Sequence, residues 1–182
     1  NPDARPRAQL NAHRWEHVCP NCGGDLEAVP TREDDPARPA SIYAATKYAQ
    51  EDLVRIACGA LGIGYAILRL QNVYGEGQSL NNPYTGILSI FSTLIRRGKP
   101  LPIFEDGRET RDFIHVDDVA RAFVAAATRE EALDGVANVG SGAATSVSDI
   151  AGHLCDAFGA PRTLVTTGEF RLGDIRHNRA DI

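Results

Sequence analysis

Apolar residues recur at helical spacing in four stretches of the chain, with short continuous apolar runs between them. Leu53, Ile56, Ala57 and Ala60 stand three and four apart, which predicts an amphipathic helix over roughly residues 41–61, ended by Gly62 and Gly64. Tyr65 to Leu70 is a short apolar run of β-type residues and reads as a buried strand. A polar, turn-rich loop runs from Gly75 to Pro83. Ile87, Ile90, Phe91, Leu94 and Ile95 then mark a second helix, stopped by Arg96-Arg97-Gly98. Leu101 to Phe104 reads as a strand, Glu105-Asp106-Gly107 as a turn, and Asp112 to His115 as a further short strand. Val119, Ala122, Phe123 and Ala126 give a third helix, opening after His115-Val116-Asp117-Asp118, where two carboxylates suit the positive helix end. Val136 to Val139 is a strand. Ser146-x-x-Asp149 forms a capping box for a fourth helix running to about Phe158, and Leu164-Val165 is a last short strand. Strand and helix in alternation are the mark of an α/β fold.

Residues 1–40 break this pattern. They are dense in proline and charge, carry little periodicity, and read as a loop-rich segment with a turn at Asn21-Cys22-Gly23-Gly24.

Length and composition narrow the class. The 182 residues suffice for one domain with a real core, or for a domain and a small lobe. Hydrophobic residues at 43% and charged residues at 24% read as globular and soluble, and a net charge of −5 argues against a nucleic-acid binder. No apolar run approaches the ~20 residues of a membrane span. The polar stretch Asn1 to Gln9 is no signal peptide, so a cytoplasmic, reducing setting is expected. Cys58 and Cys155 fall in helix-like apolar stretches and are expected to be buried thiols. The chain contains no methionine, which raises the expectation of a piece of a longer protein.

Tyr43 and Lys47 are four apart on the first predicted helix, so both project from one face. A phenol titrates near ~10, and making it a base near neutrality takes roughly 4 kcal/mol. An ammonium one turn away supplies the opposite charge that favours phenolate, and it suits a cofactor ribose hydroxyl as well. The plainer alternative is a surface tyrosine beside a surface lysine.

Cys19-Pro20-Asn21-Cys22 places two thiols at the spacing that bites one tetrahedral metal, with Gly23 and Gly24 permitting the turn. Cys19 and Cys22 alone make half a zinc site. Inert thiols and a redox pair stay open beside structural zinc.

The neighbours of Tyr43 carry a resemblance. Ser41-Ile42-Tyr43-Ala44-Ala45-Thr46-Lys47, followed by Gln50-Glu51, resembles the active-site helix of the extended short-chain dehydrogenases, in particular the NAD-dependent nucleotide-sugar epimerases and dehydratases. In the same order follow Arg69-Leu70-Gln71-Asn72-Val73-Tyr74-Gly75, Arg111-Asp112-Phe113-Ile114-His115-Val116-Asp117-Asp118, Asn138-Val139-Gly140 and Arg171-Leu172-Gly173-Asp174-Ile175-Arg176, each similar to a motif of that family. The motifs cover roughly residues 39–182. Trp15, Cys19-Pro20-x-Cys22, Thr31-x-Glu33 and the loop from Gln78 to Gly86 resemble the bacterial members that act on dTDP-L-rhamnose.

The resemblance implies the carboxyl-terminal part of a doubly wound, Rossmann-like parallel sheet plus a small α/β substrate-binding lobe. Residues 1–40 would be an insertion, 41–75 the end of the NAD-binding domain, and 76–182 mainly the lobe, with 112–140 returning to the sheet. It implies Tyr43 and Lys47 as catalytic and cofactor-binding residues, with Leu70 also beside NAD. It implies Asn72, Asn82, Phe104, Arg111, Arg171 and Arg176 as contacts to the nucleotide sugar, the arginines because a guanidinium presents a planar fork to phosphate oxygens. His115 is expected to be structural. The implied reaction is 4-epimerisation of a dTDP- or UDP-hexose through a 4-keto intermediate, in a cytoplasmic homodimer. A 4,6-dehydratase is the second enzyme reading, which Gln50-Glu51 disfavours, and a noncatalytic zinc-knuckle module is a third. The family's Gly-x-x-Gly-x-x-Gly loop for the NAD pyrophosphate is not found here. Gly140-Ser141-Gly142 follows a strand but lacks the third glycine, so this chain alone is expected to bind NAD poorly.

Overall fold

The computed structural model describes residues 2–80 and 86–182. Asn82, one of the expected substrate contacts, lies outside the described residues. Among them are five helices, α1 (Arg7–Asn11), α2 (Ile42–Leu61), α3 (Ile87–Arg96), α4 (Val116–Ala127) and α5 (Val147–Ala157). Eight short strands alternate with them: β1 (Ala66–Leu70), β2 (Asn72–Tyr74), β3 (Leu101–Ile103), β4 (Thr110–Arg111), β5 (Phe113–His115), β6 (Gly135–Val139), β7 (Thr145–Ser146) and β8 (Leu164–Thr166). β1 pairs with β6, β2 with β5 and β3 with β8, all parallel, while β4 and β7 form an antiparallel pair. The α/β class expected from the alternation is the one observed.

The helix ends follow local chemistry. Ser41 is extended, and its hydroxyl accepts the Ala44 N–H at 3.1 Å, satisfying one of the free amides of the first turn of α2. Gly62 ends that helix at φ 63°, where a side chain would be strained. The His115 ring accepts the Asp117 N–H at 3.3 Å and caps α4, which places His115 in a structural role. Ser146 accepts the Asp149 N–H at 3.0 Å and caps α5.

Two cores result. Phe91, Leu101, Ile103, Val147, Ala151 and Cys155 pack between α3, α5, β3 and β8. Ile114, Val119 and Val139 form the second, where α4 lies on β1, β2 and β5. Each Val, Leu, Ile or Phe side chain buried in this way stabilises the fold by roughly 1.5–3 kcal/mol.

Several details differ from the sequence reading. The one-turn helix α1 falls in the segment read as loop, and the two-residue strands β4 and β7 are too short to leave a pattern. β2 was not expected, because Asn-Val-Tyr has one apolar residue and no period; pairing with β5 makes the strand. Cys155 is buried but Cys58 is only partly so. The apolar stripe of α2 is real yet buries nothing: Leu53, Ile56 and Leu61 are 65%, 70% and 70% exposed. No helix among the described residues is long and apolar enough to cross a membrane.

Residues 2–40 are stitched to the rest. Thr31 bridges to Ala180, and its N–H donates to the Arg179 carbonyl at 2.9 Å. Arg5 and Leu10 are buried.

Candidate active site

α2 presents Tyr43 and Lys47 one turn apart on an open face, with Tyr43 74% exposed. The helix is fixed to β1 by an ion pair in which both terminal oxygens of Glu51 accept from Arg69, each at 2.8 Å. Arg69 also donates to the Glu33 carbonyl at 3.0 Å. Hydrogen bonding to Arg69 outweighs burial and holds the Glu51 carboxyl below the ordinary value. Glu51 therefore has a scaffold role, tying α2 to β1.

β1 ends at Leu70, which is 41% exposed, and β2 begins at Asn72. The Asn72 N–H donates to the Asp112 carbonyl at 2.9 Å, so Asn72 sits against the Arg111-Asp112-Phe113 segment. Asp112 is fully buried. One carboxylate oxygen accepts the N–H and the hydroxyl of Ser141, both at 2.7 Å; the other accepts the Gly142 and Ala180 N–H groups, both at 3.1 Å. The Gly140-Ser141-Gly142 turn thus wraps an anion belonging to its own chain.

Phe104, Arg111, Arg171 and Arg176 lie in the segments around β3, β4 and the carboxyl-terminal residues. Arg111 donates to the carbonyls of Thr110 and Arg176 at 2.8 and 3.2 Å and approaches Asp174 at 3.3 Å. Its side chain keeps 17% exposure. The exposed Arg171 lies over the Phe104 ring, 5.4 Å from its centre, a cation–π arrangement.

Arg176 is placed otherwise than expected. It is 1% exposed and saturated by carboxylates: Glu16 at 2.7 and 2.9 Å, Asp106 at 2.7 and 3.0 Å, and Glu105 at 3.1 Å. Its donors are spent inside the protein, so its role here is an internal ion pair and not a grip on a ligand phosphate. Arg5 donates to both oxygens of Glu105 at 2.7 and 2.8 Å, which makes Glu105 the shared partner of two arginines. Sequence reasoning missed Arg5 and Glu16; their partners lie 100 and 160 positions away, and nothing local signals such pairing.

Cys19 and Cys22 sit on a tight hairpin. The Cys19 N–H donates to the Gly24 carbonyl at 2.8 Å, the Gly23 N–H donates back to the Cys19 carbonyl at 2.9 Å, and Gly23 takes φ 72°. Backbone N–H groups of Cys22 and Asn21, with the Cys22 thiol, hold the Cys19 thiol below its ordinary value, which favours thiolate. Among the described residues no group of three or more His, Cys, Asp or Glu side chains could hold a metal ion.

Parallel strand pairs covered by helices, with a tyrosine and a lysine one turn apart on an open helix face, define a Rossmann-like α/β protein. The chain belongs to the NAD dependent epimerase/dehydratase family, which matches residues 21–140. It is 46% identical over 182 residues to dTDP-L-rhamnose 4-epimerase of Burkholderia thailandensis, covering 100% of this chain and 48% of that protein. It is 37% identical over 161 residues to UDP-glucose 4-epimerase of Mycolicibacterium smegmatis, covering 87% of this chain and 50% of that protein. Among solved structures, UDP-glucose 4-epimerase of Thermotoga maritima with UDP-glucose superposes at a TM-score of 0.78 with 32% identity, over 86% of this chain and 50% of that one. The chain spans about half the length of the curated relatives it matches.

Proposed function

We propose that this chain carries the proton-transfer helix and the nucleotide-binding lobe of an NAD-dependent nucleotide-sugar 4-epimerase acting on a dTDP- or UDP-hexose. The observation that carries this reading is the pairing of two arrangements in one fold: Tyr43 and Lys47 on the open face of α2, and the Arg111 and Arg171–Phe104 cluster on the lobe.

Tyr43 removes the proton of the sugar 4-hydroxyl and later returns it. Lys47 stabilises the phenolate through its charge and holds a ribose hydroxyl of the cofactor. Arg111 and Arg171 grip the diphosphate while Phe104 flanks the base, which anchors the nucleotide and leaves the sugar free to turn over. NAD, when bound, supplies the hydride acceptor and donor at C4. The residues present fit its nicotinamide-ribose end, where Leu70 is the apolar neighbour. They do not fit its pyrophosphate, since the Gly-Ser-Gly turn is filled by Asp112. Accordingly the 182-residue chain by itself binds NAD weakly and does not turn over. Micromolar NAD binding by the isolated chain in calorimetry overturns that part.

The relatives supporting the reading include two named 4-epimerases, while a dTDP-glucose 4,6-dehydratase of Streptomyces griseus is 35% identical over 159 residues. Incubating the full-length protein with dTDP- and UDP-hexoses separates the two chemistries: 4-epimers support the proposal, and dehydrated 4-keto-6-deoxy sugars overturn it. The reading also holds Cys19 and Cys22 as two of four ligands of a structural zinc, tested by elemental analysis. The exposed stripe of α2 supports a homodimer, tested by sedimentation.

A further inference from the structure

The segment before α2 reaches into the lobe in a way that the catalytic reading leaves unused. Glu105 is not a glycine, yet its backbone takes φ 49°, a left-handed conformation that an L side chain disfavours. It sits between Phe104 and Asp106 in the turn after β3. Two arginines hold it there, Arg5 from the amino-terminal segment and Arg176 from the carboxyl-terminal one. The same amino-terminal segment supplies Glu16, which binds Arg176 with one oxygen and the His177 ring with the other, at 2.9 Å. The Arg176 carbonyl in turn accepts from Arg111, and the His177 ring contacts the Thr110 hydroxyl at 3.0 Å. Trp15, next to Glu16, packs at 6.3 Å against Phe170, the residue before Arg171.

Each member of the nucleotide cluster is therefore braced from residues 5–16. Phe104 adjoins a strained turn that Arg5 pins. Arg111 leans on a carbonyl whose own residue Glu16 pins. Side chains that must meet a diphosphate and base within a fraction of an ångström need such bracing, because a displacement of about 1 Å costs up to ~100-fold in affinity or rate.

We propose that Arg5 and Glu16 are positioning residues for nucleotide recognition, setting the Phe104 turn and the Arg111 guanidinium without touching the ligand. This rests on the functional reading above. It assigns the amino-terminal segment a part in substrate binding, apart from any metal its cysteines hold.

The test measures binding of UDP and dTDP alone by calorimetry, and steady-state kinetics, on the full-length protein and its Arg5→Met and Glu16→Gln variants. The expected result is a rise of about tenfold in nucleotide Kd and in KM, with kcat at saturation within about threefold because Tyr43 and Lys47 lie on another element. Arg5→Lys should recover part of the loss, as a charged but unforked partner. Glu16→Gln keeps the question open to refutation if Arg5→Met does not fold, since Glu16 is partly exposed and the amide keeps one acceptor. Unchanged nucleotide Kd in a folded variant, or a fall in kcat at constant KM, overturns the proposal. A wild-type protein that binds neither nucleotide overturns instead the functional reading beneath it, a distinguishable outcome.

Discussion

The carboxylate of Asp112 occupies the space that a side chain on Gly140 would need. A Cβ built on Gly140 would stand 2.5 Å from an Asp112 oxygen and 2.8 Å from the Gln71 side chain. The glycine is required there by close approach, since its backbone is not in the left-handed region. The pair ties β6 to the strand that carries Arg111.

Breaking it should cost stability before anything else. Gly140→Ala forces the buried carboxylate or the backbone to move, an overpacking penalty of about 1–3 kcal/mol. Asp112→Asn turns one acceptor oxygen into a donor that faces N–H groups, for a loss of about 3 kcal/mol. Urea denaturation followed by circular dichroism checks both. A midpoint within error of wild type for either variant contradicts the geometry.

Tyr43 makes the opposite prediction. It is 74% exposed, so Tyr43→Phe should leave stability within about 0.5 kcal/mol. On the proposed function, removing the phenolic hydroxyl should lower kcat of the full-length protein by about 100-fold or more. Rapid-quench analysis of C4 inversion reads the rate. A variant retaining a tenth of wild-type turnover removes Tyr43 from the chemistry.

The two arginines of the Arg171–Arg176 segment should separate cleanly. Arg176→Leu leaves Glu16, Glu105 and Asp106 facing one another without their central cation, and breaking a buried pair in this way costs about 3–5 kcal/mol. Arg171→Ala removes an exposed side chain and should spare stability while weakening UDP or dTDP binding. Thermal melts and nucleotide calorimetry on both variants give the contrast; equal melting losses would show that exposure is a poor guide here.

Much of this was legible in the sequence because it is local. The helix over Ile42–Leu61, its Ser41 start and Gly62 stop, and the Ser146–Asp149 cap all depend on residues within a few positions of each other. The Tyr43–Lys47 spacing is of the same kind. The motif resemblance of the segment from Arg171 to Arg176 implies Arg176 as a phosphate contact, yet the structure buries it among carboxylates drawn from residues 16, 105 and 106. No spacing rule encodes a contact across 160 positions. The Gly140-Ser141-Gly142 turn was recognised as an anion cradle short of a glycine; that its anion is Asp112 needed the fold. The stripe on α2 was visible as a pattern, but periodicity does not say what a stripe packs against.

The Arg176 cluster also sets an acid limb and a neutral limb of stability. Burial pushes the Glu16 carboxyl up, but hydrogen bonds from Arg176 and His177 outweigh it and hold it below the ordinary 4.5. Asp106 is likewise raised by burial and brought lower overall by Arg176 and the Arg108 N–H, below 3.8. A carboxyl depressed in the folded state contributes stability that is complete above its unfolded value and lost as pH falls through the folded one. Stability should therefore fall on acidification below about pH 4.5. Glu109 acts in the other direction. Burial raises it above 4.5, and one of its oxygens has no hydrogen-bond partner. The folded state holds its proton longer than the unfolded chain, so its contribution is complete below 4.5 and is lost as pH rises through the raised value. The two effects occupy adjoining windows and give a maximum between them. Glu16→Gln should flatten the limb below the maximum, and Glu109→Gln the limb above it. Urea midpoints at half-unit steps from pH 3 to about pH 7 resolve both slopes. An acid limb unchanged by Glu16→Gln would mean that the Glu16–Arg176 pair carries no proton linkage.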